Sequence, residues 1–372
     1  MTSGEGDLAW MRAALALARR GLGTVWPNPA VGCVIVRDGV AVGRGWTQPG
    51  GRPHAETEAL ARAGAAAQGA TAYVTLEPCC HWGRTPPCTD AMIEAGLARA
   101  VIALRDPDPR VNGEGIRRLE AAGIAVTEGV AEQEALFLNA GFVSRIVAGR
   151  PLVTLKLAAT LDGRIAAASG ESRWVTGARA RERAQLLRAQ HDAVLVGAAT
   201  AEADDPALTV RLPGMVPETR PGPVRIVADG RLRLPLTSVL VATARATPTW
   251  VLTRPGNDRA RIGALAEAGC TVIEVAADPR TGQPDLAEGL RALGSRGITR
   301  LLVEGGGVLA AALLGAGLVD RLAWFAAPAV LGADGVAAVG GLGLSGLAAM
   351  PRFRRLAAEA AGDDLLIMLE RA

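Results

Sequence analysis

The sequence predicts two α/β domains in succession, and three observations carry that expectation. The chain has 372 residues, enough for two domains of ordinary size. Both halves alternate short aliphatic strands with helical runs, the pattern of a mostly parallel sheet covered on both faces. Between them, Gly149, Arg150 and Pro151 interrupt the chain after a long helical run. The domains are therefore expected at residues 1–148 and 149–372. A hydrophobic content of 49% with 21% charged residues is globular, not disordered.

The N-terminal stretch is acidic before its apolar part, where a signal peptide would be basic, so it reads as an amphipathic helix from about Leu8. Residues 31–36 and 40–43 read as strands joined by a turn at Arg37, Asp38 and Gly39. Cys33 lies among aliphatics and reads as a buried thiol. Asn28, between two prolines, sits on a stiffened loop; turn chemistry is one reading of it and a ligand contact is another. The run HAETEALARAGAAA (54–67) is helical and places His54 and Glu56 on its first turn, facing a common cavity. Residues 71–76 form a strand that Pro78 and Cys79 end. Pro87 suits a first helical turn, so Cys88 falls at a helix N-terminus, where the dipole favours thiolate. Further strands are expected at 100–104 and 124–127, with helices at 114–122 and 131–147. Asp106 and Asp108 then follow the carboxyl end of a strand, where ligands of open α/β sheets collect.

The chemistry concentrates in TAYVTLEPCCHWGRTPPC (71–88) and the upstream His54. One imidazole and two thiolates, from His54, Cys79 and Cys88, can hold one zinc ion and keep its fourth position for water. Zinc lowers the pKa of such a water towards neutrality. Glu56, next to the ligand, is placed to shuttle its proton. A purely structural zinc would need a fourth protein ligand. Cys80 is the obvious candidate, and adjacent cysteines rarely reach one tetrahedral ion together.

His-x-Glu followed by Pro-Cys and a further Cys is the signature of zinc deaminases. Here eight residues separate Cys79 from Cys88, and the pattern TLEPC…HxGRTPPC closely resembles the bacterial riboflavin-biosynthesis deaminase–reductase family. The resemblance implies a cytidine-deaminase-like α/β/α first domain. It also implies that Asn28 contacts a pyrimidine, that Arg84 faces a substrate phosphate and that Asp106 binds substrate. Two positions depart from the family pattern: Thr47 stands where a substrate-facing histidine is expected, and Asp108 where an asparagine is expected.

Beyond Pro151, strands are expected at 194–197, 224–228, 250–253, 271–275, 301–303 and 322–326, with helices near 178–190, 258–268 and 285–293. LLVEGGGVLAAALL (301–314) is a strand, three glycines and a helix, which lets a backbone approach phosphate oxygens; alone it is a weak nucleotide signal. The family resemblance extends over TLDG (160–163), SGESRWVT (169–176), LLRAQ (186–190) and ADDPALTVR (203–211). It implies a dihydrofolate-reductase-like α/β domain that binds NADPH. Ala158, Trp174, Thr200, Asp204, Gly306 and Gly307 would line the cofactor. Ser172, Arg188, Leu208, Arg211 and Glu304 would hold the substrate, the two arginines on its phosphate. His191 and Cys270 read as structural.

Of 40 basic residues only Lys156 is lysine. Lysine is compact and its pKa shifts on burial, whereas arginine does not release a proton. Lys156 is therefore expected to serve the reduction as a proton donor to the opening sugar oxygen. The implied activity is deamination of a diaminopyrimidinone ribose phosphate, then NADPH-dependent reduction of its ribosyl group to ribityl. A nucleoside or nucleic-acid deaminase is the first rival, disfavoured by the cysteine spacing; a zinc-stabilised regulatory protein is the second. The net charge of +3 and 3% aromatics give no basic stripe or stacking surface for nucleic acid. Apolar stretches near 305–319 and 335–351 are too short and Gly-rich to cross a membrane. The five cysteines fit a reducing, cytoplasmic setting, and a homo-oligomer is expected.

Overall fold

A computed structural model describes residues 3–214 and 222–372 of the chain. They divide into two compact units, Met1–Gly149 and Arg150–Ala372.

The first unit runs α1 (Ser3–Ala18), β1 (Gly32–Arg37), β2 (Val40–Trp46), α2 (Ala55–Ala63), β3 (Thr71–Val74), α3 (Cys88–Glu94), β4 (Arg99–Ile102), α4 (Glu114–Ala121), β5 (Ala125–Glu128) and α5 (Glu132–Ala148). Its five strands lie in the order β2-β1-β3-β4-β5. The expectation of a mostly parallel sheet needs correction here. β3, β4 and β5 are parallel, as successive strand–helix units require, but β1 pairs antiparallel with both β2 and β3. The hairpin at Asp38 and Gly39 causes this, since a tight turn can only return the chain antiparallel. α1 also begins several residues before Leu8.

Small residues bring α2 onto the hairpin. A Cβ on Gly43 would lie 2.2 Å from the Ala59 carbonyl oxygen, and one on Gly45 would lie 2.1 Å from that of Ala55. Ala55, Ala59 and Ala63 are buried on that face. The helix start, and with it His54 and Glu56, is thus fixed by direct backbone contact with β2.

The second unit contains β6 (Leu152–Thr160), β7 (Arg164–Ala166), α6 (Ala178–Ala189), β8 (Ala193–Gly197), α7 (Ala198–Asp204), β9 (Val224–Ala228), α8 (Val239–Ala242), β10 (Thr249–Thr253), α9 (Arg259–Glu267), β11 (Thr271–Glu274), α10 (Leu286–Ser295), β12 (Arg300–Val303), α11 (Gly307–Gly315), β13 (Arg321–Ala327), β14 (Val336–Ala337), β15 (Phe353–Ala361) and β16 (Asp364–Arg371). Nine strands form one sheet in the order β11-β10-β9-β8-β12-β6-β13-β16-β15. From β11 to β13 every pairing is parallel, and the C-terminal hairpin adds two antiparallel pairings at one edge. That hairpin escapes a sequence reading. FRRLAAEAA favours helix by intrinsic propensity, and pairing of its neighbour β16 with β13 overrides the preference. No helix among the described residues is long and apolar enough to cross a membrane.

Candidate functional site

In the first unit, His54 is the N-cap of α2, Cys79 follows β3 on a loop, and Cys88 opens α3. Their ligand atoms lie within 4.8 Å of one another. His54 Nδ1 is 3.3 Å from Cys88 Sγ and 3.6 Å from Cys79 Sγ. Tetrahedral zinc, with bonds of about 2.3 Å to sulfur and 2.0 Å to nitrogen, separates those atoms by roughly 3.5 Å. The residues fit the ion. Cys80 points elsewhere, its thiol directed to the Arg110 carbonyl, and stands outside the cluster.

The electrostatics agree with a ligand set. The Cys79 thiol is pushed down to about 4 by a hydrogen bond from Cys88, with burial opposing and His54 helping. The same bond, with burial, raises Cys88. The backbone N–H of Cys88 also donates to Cys79 Sγ at 3.3 Å. A divalent cation supplies what the second thiolate lacks, by displacing its proton.

Glu56 is 4% exposed, and burial raises its carboxyl to about 7, the nearby Cys79 charge adding to this and His54 opposing it. It lines a cavity of about 540 Å3 together with Asn28, His54, Cys79, Arg84 and Asp106. Asn28 Nδ2 donates to the Gly51 carbonyl at 2.9 Å and lies 3.4 Å from His54 Nε2. Arg84 is exposed on the loop between the two cysteines. Asp106 is buried and raised to about 7, first by burial and then by Asp108, Glu77 and Cys79, while the Asp108 N–H opposes. Thr47 is buried and bound to its own scaffold, its Oγ1 accepting from Val31 N.

Three residues of this cavity were not singled out by the sequence. The buried Glu77 accepts from the backbone N–H groups of Asp106, Gly113, Gly115 and Ile116, tying the cysteine loop to the 106–113 loop. Its signal was an acid set directly before Pro-Cys at the end of an apolar strand. Arg110 clamps Asp108. His81 Nδ1 is buried without a hydrogen-bond partner.

In the second unit, Glu304 follows β12 and α7 follows β8, two neighbouring parallel strands whose carboxyl ends form the usual ligand crevice. Arg188 of α6 is buried, not on a solvated helix face. Its Nε and Nη2 donate to Glu304 at 2.8 and 3.0 Å, and Nη1 donates to Thr209 O at 2.7 Å. Lys156 Nζ lies 3.9 Å from Glu304 and 6.0 Å from the Phe325 ring centre. Burial pushes Glu304 up, but Arg188 and Lys156, with Arg211 farther down, outweigh it and leave the carboxyl lowered. Lys156, Arg188, Arg211 and Glu304 therefore form one charged cluster.

Gly306 is the N-cap of α11 and faces Thr200, whose Oγ1 would be 3.5 Å from an added Cβ. A Cβ on Gly307 would meet the Ala337 carbonyl at 2.5 Å. Ala158 pairs across from Phe325 in the sheet. Leu208 is buried with a φ of 51°. Arg211 N–H donates to Gln185 Oε1. Ser172 is half-buried, and Trp174 stacks on Arg181 at 4.6 Å. The Asp204 carbonyl accepts from Arg173.

Comparison with known proteins covers the same two units. The cytidine and deoxycytidylate deaminase zinc-binding region matches residues 5–104, and the RibD C-terminal domain matches residues 151–367. Riboflavin biosynthesis protein RibD of Escherichia coli is 45% identical, over 98% of this chain and 99% of that protein. Its Aquifex aeolicus counterpart is 42% identical over 99% of both. Among solved structures, Acinetobacter baumannii RibD superposes with a TM-score of 0.90 at 39% identity over all of both chains. A Thermotoga maritima diaminohydroxyphosphoribosylaminopyrimidine deaminase/5-amino-6-(5-phosphoribosylamino)uracil reductase gives 0.84 at 33% over 99% of both. With the zinc-ligand cluster in one unit and the reductase match over the other, the chain belongs to the RibD family of bifunctional riboflavin-biosynthesis deaminase–reductases.

Proposed function

We propose that the first unit hydrolyses the 2-amino group of 2,5-diamino-6-(5-phosphoribosylamino)pyrimidin-4(3H)-one. The second then reduces the ribosyl group of the resulting 5-amino-6-(5-phosphoribosylamino)uracil to ribityl. The observation that carries this reading is the three-ligand cluster of His54, Cys79 and Cys88 beside a buried Glu56 in a ligand-sized cavity.

Zinc, when bound, supplies Lewis acidity that brings a water near ionisation at neutral pH. Glu56 accepts that water's proton and delivers it to the departing amine, so water and the C2–NH2 group become a carbonyl and ammonia. A carboxyl at about 7 can both take and release a proton near neutrality. Asn28 and Asp106 orient the pyrimidine, and Arg84 meets the phosphate, as guanidinium geometry suits phosphate oxygens.

NADPH, when bound, supplies hydride. Ala158, Trp174, Thr200, Asp204, Gly306 and Gly307 would hold it, and the N–H groups at the start of α11 suit phosphate oxygens. Ser172, Leu208 and Glu304 hold the substrate, Arg188 and Arg211 bring positive charge to its phosphate, and Lys156 gives a proton to the oxygen released as the sugar opens. The division into a deaminase at 1–148 and a reductase at 149–372 belongs to the same reading. Five free cysteines support a cytoplasmic setting. Leu161, Val330 and Leu331, exposed around the Asp162 turn, support self-association.

The test is incubation of zinc-loaded protein with the diaminopyrimidinone phosphate, with and without NADPH, scoring ammonia and NADPH loss separately. Glu56→Gln should keep zinc, lose deamination by roughly 10²–10⁴-fold, and still reduce supplied aminouracil substrate. Parallel loss of both activities would refute the division of labour.

A further inference from the structure

We infer that Arg110 sets the charge of the deaminase cavity for an anionic substrate by neutralising Asp108, and so acts as a specificity-determining positioning residue. The inference rests on the reading of the deaminase substrate as a phosphate ester.

The loop after β4 brings two carboxylates to one wall of the cavity, Asp106 and Asp108. They are linked, since Asp108 N–H donates to Asp106 Oδ1 at 2.8 Å. A phosphate entering beside an unpaired Asp108 carboxylate meets like charge. Arg110 compensates that charge. Its Nε donates to Asp108 Oδ1 and Oδ2 at 3.0 and 3.2 Å, and its Nη2 to Oδ2 at 2.5 Å. Its backbone N–H adds a further bond to Oδ1 at 3.0 Å. The clamp holds the Asp108 carboxyl below its ordinary value, the Arg110 hydrogen bond being the largest cause, so Asp108 stays ionised and paired.

Burial separates a functional clamp from a stabilising one. The Asp108 side chain is 11% exposed and the Arg110 side chain 70%. An arginine so exposed fills no core, and solvent screens its half of the pair. What it changes is the sign of the wall. With Arg110 in place the pair is nearly neutral, and Arg52 and Arg84 of the same cavity act on the phosphate without competition from Asp108. Without it, Asp108 competes with them. The consequence falls on binding of the anion, not on the bond-breaking step, because the charge at Asp108 is the same in both.

The test compares wild type, Arg110→Ala, Arg110→Lys, Asp108→Asn and the Asp108→Asn/Arg110→Ala double variant. Each is assayed for ammonia release from the phosphorylated substrate and from its dephosphorylated riboside. Arg110→Ala should raise KM for the phosphate roughly tenfold, leave kcat within about twofold, and leave KM for the riboside unchanged. The KM increase should shrink as added salt shortens the screening length. Arg110→Lys, which keeps the charge without the fork, and the double variant, which removes both charges, should each restore a near wild-type KM. An unchanged KM in Arg110→Ala would overturn the inference. So would equal losses on both substrates without rescue by the double variant, which would mark a loop-stiffening role. If Arg110→Ala alone does not fold, Asp108→Asn and the double variant decide: a KM for the phosphate above about threefold wild type in both would overturn it. Wild-type protein inactive on the phosphate would instead overturn the functional reading on which the inference rests.

Discussion

Replacing Glu304 by glutamine strikes the charged cluster of the reductase unit at its centre. The carboxylate is 12% exposed and takes two hydrogen bonds from Arg188, itself 10% exposed, with Lys156 at 3.9 Å. A neutral amide leaves a buried guanidinium uncompensated, and breaking such a pair costs about 3–5 kcal/mol. For a unit of this size each kcal/mol moves the melting temperature by about 2–4 °C, so the reductase transition should fall by about 6–20 °C. Scanning calorimetry of the full chain measures this, with NADPH oxidation and ammonia release followed in parallel. Reduction should be lost while deamination persists. The pH dependence has a definite sign. The folded carboxyl lies below its ordinary value of 4.5, so its stabilisation is complete above about pH 4.5 and is lost as pH falls through the folded value. Glu304→Gln should lack that acid limb. Replacing the pair together, as Arg188→Met/Glu304→Leu, should be less damaging than Glu304→Gln alone, because no charge is then stranded. A Glu304→Gln protein melting within about 2 °C of wild type would refute the reasoning and show the cluster to be solvated.

Three further outcomes are expected. Cys80→Ser should retain one zinc per chain by metal analysis and Cys88→Ser should lose it; equal loss would mean that Cys80 closes the site. Lys156→Arg should bind NADPH and release ammonia normally but lose most of its reduction; near wild-type NADPH oxidation would show that any cation suffices. His191 is buried between the Leu187 carbonyl and Thr154 Oγ1, and burial first, then Arg300, lowers it to about 3. It is neutral when folded and takes up a proton on unfolding below about pH 6.5. Stability should therefore fall with pH between about 6.5 and 3, by up to about 1.4 kcal/mol per pH unit. Urea midpoints for His191→Gln should show a shallower slope over that range, and an unchanged slope would exclude His191 as its source.

The sequence alone determined the features that local chemistry dictates. His54, Cys79 and Cys88 were legible because zinc accepts few ligand types, and Pro87 placed Cys88 at a helix start whatever the surrounding fold. Strand and helix alternation gave both domains, since hydrophobic period is set by burial on one face. The tertiary structure decided what depends on partners far apart in the chain. FRRLAAEAA becomes the edge strand β15 only because β16 is already paired with β13. Arg188 was expected on the substrate's phosphate, and its buried pair with Glu304, 116 residues away, shows only in the fold. Glu77 gains its purpose only when Gly113, Gly115 and Ile116 fold back to present their N–H groups. Local spacing encodes a metal site because its ligands lie on neighbouring turns and loops. A buried carboxylate's partners are chosen by sheet order and loop closure, and no short stretch of sequence contains those.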